Sequence, residues 1–112
     1  MSTIRNSVRL IGRLGRDPEV KEFESGKKVA RFSLATSDIY YDDQSNRVEQ
    51  TQWHLVAAWG KLAGTVEQFL HKGQEIALEG KLVYREYENK EGIKKHVTEI
   101  VISELLMLGG KP

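Results

Sequence analysis

The stretch Gln50–Tyr84, QTQWHLVAAWGKLAGTVEQFLHKGQEIALEGKLVY, changes its hydrophobic period twice. From Gln50 to Trp59 the residues alternate. Trp53, Leu55, Ala57 and Trp59 fall on one face and His54, Val56 and Ala58 on the other, the period of two of a strand. Leu62, Val66, Phe69 and Leu70 are then spaced for one side of a helix. Gly64 inside this segment costs about 1 kcal/mol relative to alanine, so the helix is expected to be short and held by packing. Lys72-Gly73 predicts a basic last turn and a C-terminal glycine cap. Ile76, Leu78, Gly80, Leu82 and Tyr84 restore the period of two, and this strand is expected to reach about Tyr87.

Outward from this core the pattern stays β. Val8, Leu10, Gly12 and Leu14 alternate with Arg9, Ile11 and Arg13 before a turn at Gly15-Arg16-Asp17-Pro18. Val20 and Phe23 resume briefly before a second turn at Ser25-Gly26. The next strand is expected over Lys28 to Ser37, with Ala30, Phe32 and Leu34 on one face. Asp38 to Glu49 reads as a polar loop carrying two adjacent aromatics, Tyr40 and Tyr41. Glu88 to Gly92 reads as a charged hairpin tip, His96 to Leu108 as the final strand, and 109–112 as a frayed end. The order is three strands, a helix and two strands. It predicts an all-β chain with the OB-fold, a five-stranded Greek-key barrel with one short α-helix between strands 3 and 4, filling a single domain over 1–108. Gly12 and Gly80, inside strands, suit bends at barrel corners.

A chain of 112 residues allows one closed core and no second catalytic domain. With 39% apolar and 29% charged residues it reads as folded rather than disordered. It contains no cysteine, which excludes disulfides and thiolate metal sites and points to a reducing compartment. Met1 to Arg9 is polar and basic, and no run approaches the roughly 18 apolar residues of a membrane span. A soluble, cytoplasmic protein with no membrane partner is expected. The net charge of +1 means that any basic surface must come from how the charges are distributed.

The aromatics carry the functional reading. Trp53 and Trp59 share a strand face, Tyr40 and Tyr41 lead into that strand, and Tyr84 and Tyr87 lie where the fourth strand enters its hairpin. Bases stack on such rings for about 1–3 kcal/mol each, whatever the base. Arg31, Lys61, Lys72, Lys81 and Arg85 fall on or beside the same elements and suit phosphates. His54, His71 and His96 show no metal-ligand spacing, the paired carboxylates sit in charged tips, and neither GxxxxGK[ST] nor GxGxxG occurs. Nothing proposes a catalytic residue, a metal or a cofactor. The expectation is a non-enzymatic protein that binds single-stranded DNA without sequence preference.

These segments resemble the bacterial single-stranded DNA-binding protein family over nearly the whole chain. The resemblance is carried by Val8 to Val20 (VRLIGRLGRDPEV), Phe32 to Ser37, Thr51-Gln52-Trp53-His54, Trp59-Gly60-Lys61-Leu62-Ala63, Leu70 to Gly73, Glu79-Gly80-Lys81-Leu82 and Met107 to Gly110. It implies an OB-fold subunit of a homotetramer around which single-stranded DNA wraps in replication, recombination and repair. Trp53 falls on a stacking tryptophan, Trp59 where a stacking phenylalanine is usual, and Tyr40 and Tyr87 where well-known members have tryptophans. His54 matches a position that supports subunit assembly, and Lys61 and Lys72 match basic positions near the DNA path. Leu55, Val83 and Glu86 replace basic residues, which implies weaker salt dependence than is usual. Family members continue into an acidic tip that recruits replication and repair enzymes. This sequence stops at Pro112, as a truncated piece of a longer chain or a short paralogue would, so the resemblance does not extend to that recruitment. The alternative is a related OB-fold primosomal protein acting as a protein-binding module. A third reading is a pure assembly subunit, which would have no use for both tryptophans and Tyr40 on one open face.

Overall fold

The computed structural model of the protein describes residues 4–108. The strands are β1 (Val8–Leu14), β2 (Glu19–Glu22), β3 (Lys28–Tyr41), β4 (Arg47–Trp59), β5 (Glu75–Glu88) and β6 (Lys94–Met107). One helix, α1 (Lys61–Phe69), lies between β4 and β5. Strand neighbours run β1-β5-β6-β4-β3-β2, and β1 also pairs with β3 at Arg13↔Ala35 and Leu14↔Leu34, which closes the barrel. The short β2 continues the path of β1 along β3, pairing Glu19–Glu22 with Arg31–Lys28. Taken together, β1 and β2 are one strand interrupted at the Gly15–Pro18 turn. The barrel is then five-stranded, in the OB-fold arrangement that the order of elements predicts. The brief resumption at Val20 is this second half-strand.

The alternation predicted in β3 and β4 is the alternation of the core. Ala30, Phe32 and Leu34 of β3 and Val56 and Ala58 of β4 are buried with Leu14, Ile76, Leu78, Ile100 and Ile102. Gly12 and Gly80 have a different use from simple corners. A Cβ on Gly12 would strike the carbonyl of Ala35 across the β1–β3 seam, and one on Gly80 would strike that of Val101. Gly80 also adjoins the register shift between β5 and β6, a bulge that bends the strands round the barrel.

The structure corrects three local expectations. First, the polar loop over 38–49 is mostly strand. β3 and β4 stay in register from Val29↔Trp59 to Tyr41↔Arg47, leaving only Asp42–Asn46 as the tip. A two-stranded ribbon that leaves the barrel has water on both faces, so polarity loses its period of two and imitates a loop. The Asp42 carboxylate accepts the Gln44 and Asn46 amides at 2.9 Å, and Ser45 takes the left-handed conformation that the turn requires, with φ 65°. Second, α1 ends at Leu70, whose extended backbone breaks the helix while its amide still reaches the Val66 carbonyl. Gly73 instead serves the following turn and donates to the Leu14 carbonyl at 2.9 Å. Third, of the expected line Leu62, Val66, Phe69 and Leu70, Val66 and the C-cap Leu70 are buried and Leu62 packs on the core, while Ala63 takes the place expected of Phe69. Phe69 is consequently 51% exposed. The Lys28 Nζ to Glu67 hydrogen bond of 2.8 Å ties α1 to β3 and raises the lysine pKa. The expected frayed end, 109–112, lies outside the described residues. Among the described residues no helix is long and apolar enough to cross a membrane.

Candidate nucleic-acid interface

The outward face of the β3–β4 hairpin builds the site. Because Val56 and Ala58 point into the core, the residues between and beside them point out. Trp53 and Trp59 are 61% and 39% exposed, with the exposed Leu55 and the fully buried Ala57 between them. Their partners across the hairpin are Ala35, Ser33, Arg31 and Val29. Each ring has its own seat. Trp53 rests on Gly15, where an added Cβ would come within 2.5 Å of Cζ3. Trp59 stacks on Phe23 with ring centroids 6.1 Å apart and planes 10° apart. Between the two lies a groove of about 300 Å³, lined by Arg16, Glu19, Arg31, Phe32, Ser33, Leu55, Val56, Arg85 and Glu99. Three arginines against two glutamates leave this lining one net positive charge.

Glu99 lies on β6 with only 3% of its surface exposed. Its Oε2 accepts Arg31 Nε at 2.8 Å and Arg85 Nη2 at 2.9 Å. Burial pushes the Glu99 carboxyl up. The hydrogen bonds from Arg85 and Arg31, with the charges of both, outweigh burial and hold it below the ordinary carboxylate range. The Arg31 guanidinium also lies over Trp59, 6.0 Å from the ring centroid, and that of Arg85 over Tyr87 at 5.6 Å. Arg85 Nε is buried with no hydrogen-bond partner.

Arg31 and Arg85 line one groove, Trp59 and Tyr87 are joined to it through these arginines, and Trp53 lines a neighbouring depression that shares Leu55 with it. The structure does not put Tyr40 on the tryptophan face. Tyr40 opposes Val48 and has the parity of the inward residues Phe32 and Leu34, whereas Tyr41, opposite Arg47, has the parity of Trp53. The expected single face with both tryptophans and Tyr40 is therefore corrected. Both faces of the ribbon are wet, so Tyr40 is exposed without sharing their surface. Tyr84 likewise lies on the pleat face opposite Arg85 and Tyr87. Lys61 opens α1, two residues after Trp59. The Lys72 amide donates to Asp17 at 2.8 Å, which pins that turn beside Arg16 at the groove. His54 opposes Leu34 and shares a 2.9 Å hydrogen bond with Thr36. Among the described residues no three His, Cys, Asp or Glu side chains gather to hold a metal.

Sequence reasoning missed Glu99, Phe23, Arg16 and the role of Gly15. Glu99 left a signal. It is a single carboxylate inside Val97–Ile102, a run otherwise apolar but for Thr98, and a buried charge there needs a cationic partner. Phe23 left none beyond its ring, because its stacking depends on how the β2–β3 turn folds over β4.

The profile of the Single-strand binding protein family matches residues 5–108. The "Single-stranded DNA-binding protein 1" of Chlorobaculum tepidum is 49% identical over 107 residues, 95% of this chain and 66% of that protein. The "Single-stranded DNA-binding protein" of Neisseria meningitidis serogroup A is 46% identical over 106 residues, 95% of this chain and 61% of that protein. The chain thus spans less than two thirds of the length of these curated relatives. Among solved structures, one titled "Plasmodium falciparum SSB complex with ssDNA" has a TM-score of 0.83 at 30% identity, covering 96% of this chain and 98% of that one. With the barrel, the groove and these matches all in agreement, the chain belongs to the single-strand binding protein family.

Proposed function

We propose that this protein binds single-stranded DNA without sequence preference and acts on it by protection, not by catalysis. The observation that carries this reading is the pair Trp53 and Trp59, both exposed on the strand face that also carries Leu55 of the arginine-lined groove. Every base has a π-face, so two such rings hold successive bases whatever their identity. Tyr87, beside Arg85, extends the row, and Tyr40 serves a part of the strand that passes over the ribbon. Arg31 and Arg85 line the groove beside the rings, and Lys61 and Lys72 are further cations beside it. The binding domain is placed at 1–108 and the setting in cytoplasmic DNA replication, recombination and repair. The names of the curated relatives and the ssDNA in the Plasmodium complex support the same choice of ligand.

The test is intrinsic tryptophan fluorescence during titration with oligo-dT. Quenching is expected. Unchanged emission at low salt and micromolar protein refutes the stacking reading. Trp53→Ala should weaken binding by roughly 1–3 kcal/mol for all sequences alike.

Assembly as a homotetramer is part of the proposal. Among the described residues, β1 pairs along β5, while its other edge pairs with β3 only at Arg13 and Leu14. That leaves the edge over Val8–Gly12 open to a second chain. Ile11 and Leu106 are 59% and 66% exposed and border one apolar depression with Leu10, Leu78 and Leu105. Apolar surface of this kind marks an interface.

A further inference from the structure

Glu99 is the one charged residue among the described residues that is buried as deeply as the core. A carboxylate there is costly unless it is paired and hydrogen-bonded. Both of its bonds are made by arginines, and both converge on the same oxygen, Oε2. Each arginine also lies over an aromatic ring, Arg31 over Trp59 and Arg85 over Tyr87. The result is a continuous chain, ring–arginine–carboxylate–arginine–ring, crossing β4, β3, β6 and β5. The orientation of Arg85 is kept even though its Nε is left buried and unpaired. Glu99 offsets part of the charge of both arginines and fixes their orientation through one N–H of each, Arg31 Nε and Arg85 Nη2, which weakens their pull on a phosphate although other donors of each fork remain.

We propose that Glu99 is a positioning residue that withdraws Arg31 and Arg85 from phosphate binding and makes them supports for the stacking rings Trp59 and Tyr87. The groove then grips bases in its middle and leaves phosphates to cations outside the clasp, such as Lys61 and Lys72. This rests on the reading of the groove as a single-stranded DNA site. It goes beyond that reading by assigning a negative side chain the task of setting how the strand is held.

The experiment is the salt dependence of oligo-dT binding, read as the slope of log Kobs against log[NaCl]. The proteins compared are the wild type, Arg31→Gln, Arg85→Gln and Glu99→Gln. One phosphate contact on a single strand contributes about 0.7 to the slope. Arg31→Gln and Arg85→Gln should weaken binding at every salt concentration while keeping the wild-type slope. Glu99→Gln, which frees both arginines, should steepen the slope by about 1.4, so that raising salt from about 50 to about 200 mM costs it roughly sevenfold more affinity than it costs the wild type. A slope shallower by about 0.7 in either arginine variant overturns the proposal, as does a wild-type slope in folded Glu99→Gln. Where Glu99→Gln does not fold, the two arginine variants decide. A wild-type protein whose tryptophans are not quenched by oligo-dT would instead refute the reading of the groove itself.

Discussion

Gly15→Ala disturbs Trp53, a proposed stacking ring, without removing it. Gly15 is not among the glycines with positive φ, so alanine meets no backbone strain there. Its Cβ would nevertheless lie 2.5 Å from Trp53 Cζ3 and 2.9 Å from Cη2. Carbon atoms rest at about 3.5–4.0 Å, so the ring must withdraw by roughly 1 Å or swing away. Trp53 is largely exposed, so the ring moves more cheaply than the turn beneath it. The cost should therefore fall on binding more than on folding. Its ceiling is the worth of the whole stack, about 1–3 kcal/mol, or roughly 5- to 150-fold in Kd. A loss of about tenfold, in the lower part of that span because the ring is displaced and not removed, is expected for oligo-dT. Fluorescence anisotropy of a labelled oligonucleotide would measure it, alongside Trp53→Ala and the double variant. If Gly15 acts through the ring, the double variant should bind like Trp53→Ala alone. Full addition of the two losses, or wild-type affinity in Gly15→Ala, would refute the seat.

Four further outcomes are expected. Phe23→Ala should weaken oligo-dT binding by about two- to fivefold, because an aromatic pair is worth roughly 0.5–1.5 kcal/mol and only part of that orders Trp59; unchanged affinity by anisotropy would remove Phe23 from the site. Ser45→Gly should stabilise the fold by roughly 0.5–1 kcal/mol in urea unfolding, since relief of the left-handed strain exceeds the added chain entropy; a destabilised variant would contradict the strain. The Glu99 carboxyl has a lowered pKa in the folded state, so its contribution to stability is complete above the ordinary glutamate range and is lost as pH falls through the folded value. Stability curves of wild type and Glu99→Gln should accordingly converge towards acid, and a constant gap between them would exclude this linkage. Leu106→Glu should lower the mass seen in light scattering across a concentration series, and an unchanged mass would move the subunit contact elsewhere.

The barrel was legible because its core strands keep their alternation wherever one face is dry. Val56 and Ala58 are buried and Trp53 and Trp59 exposed, as the period of two requires. Legibility failed where that asymmetry ends. Tyr40 and Tyr41 lie on a ribbon with two wet faces, so composition suggested a loop and concealed that adjacent tyrosines point to opposite sides. The tryptophans of the site could be read from one strand. The clasp could not, because Arg31, Arg85 and Glu99 belong to three strands, and only barrel closure makes them neighbours. Gly15 was read as part of a turn, and its second use under Trp53 depends on a contact across 38 positions of sequence.

The Arg31–Glu99 pair also spans one of the two shortest strand pairings among the described residues, the other being β1–β3. β4 and β6 meet in parallel at only Val56↔Ile100 and Ala57↔Val101, whereas β3–β4 and β5–β6 are long antiparallel hairpins of neighbouring segments. Hairpins close quickly, and pairings distant in sequence wait for the loop entropy to be overcome. The two hairpins should therefore form first and dock late, and the clasp can exist only after docking. Interactions absent from the transition state slow unfolding and leave the folding rate nearly untouched. On this ground the same carboxylate that shapes the groove is a kinetic latch, setting how long the finished barrel stays shut.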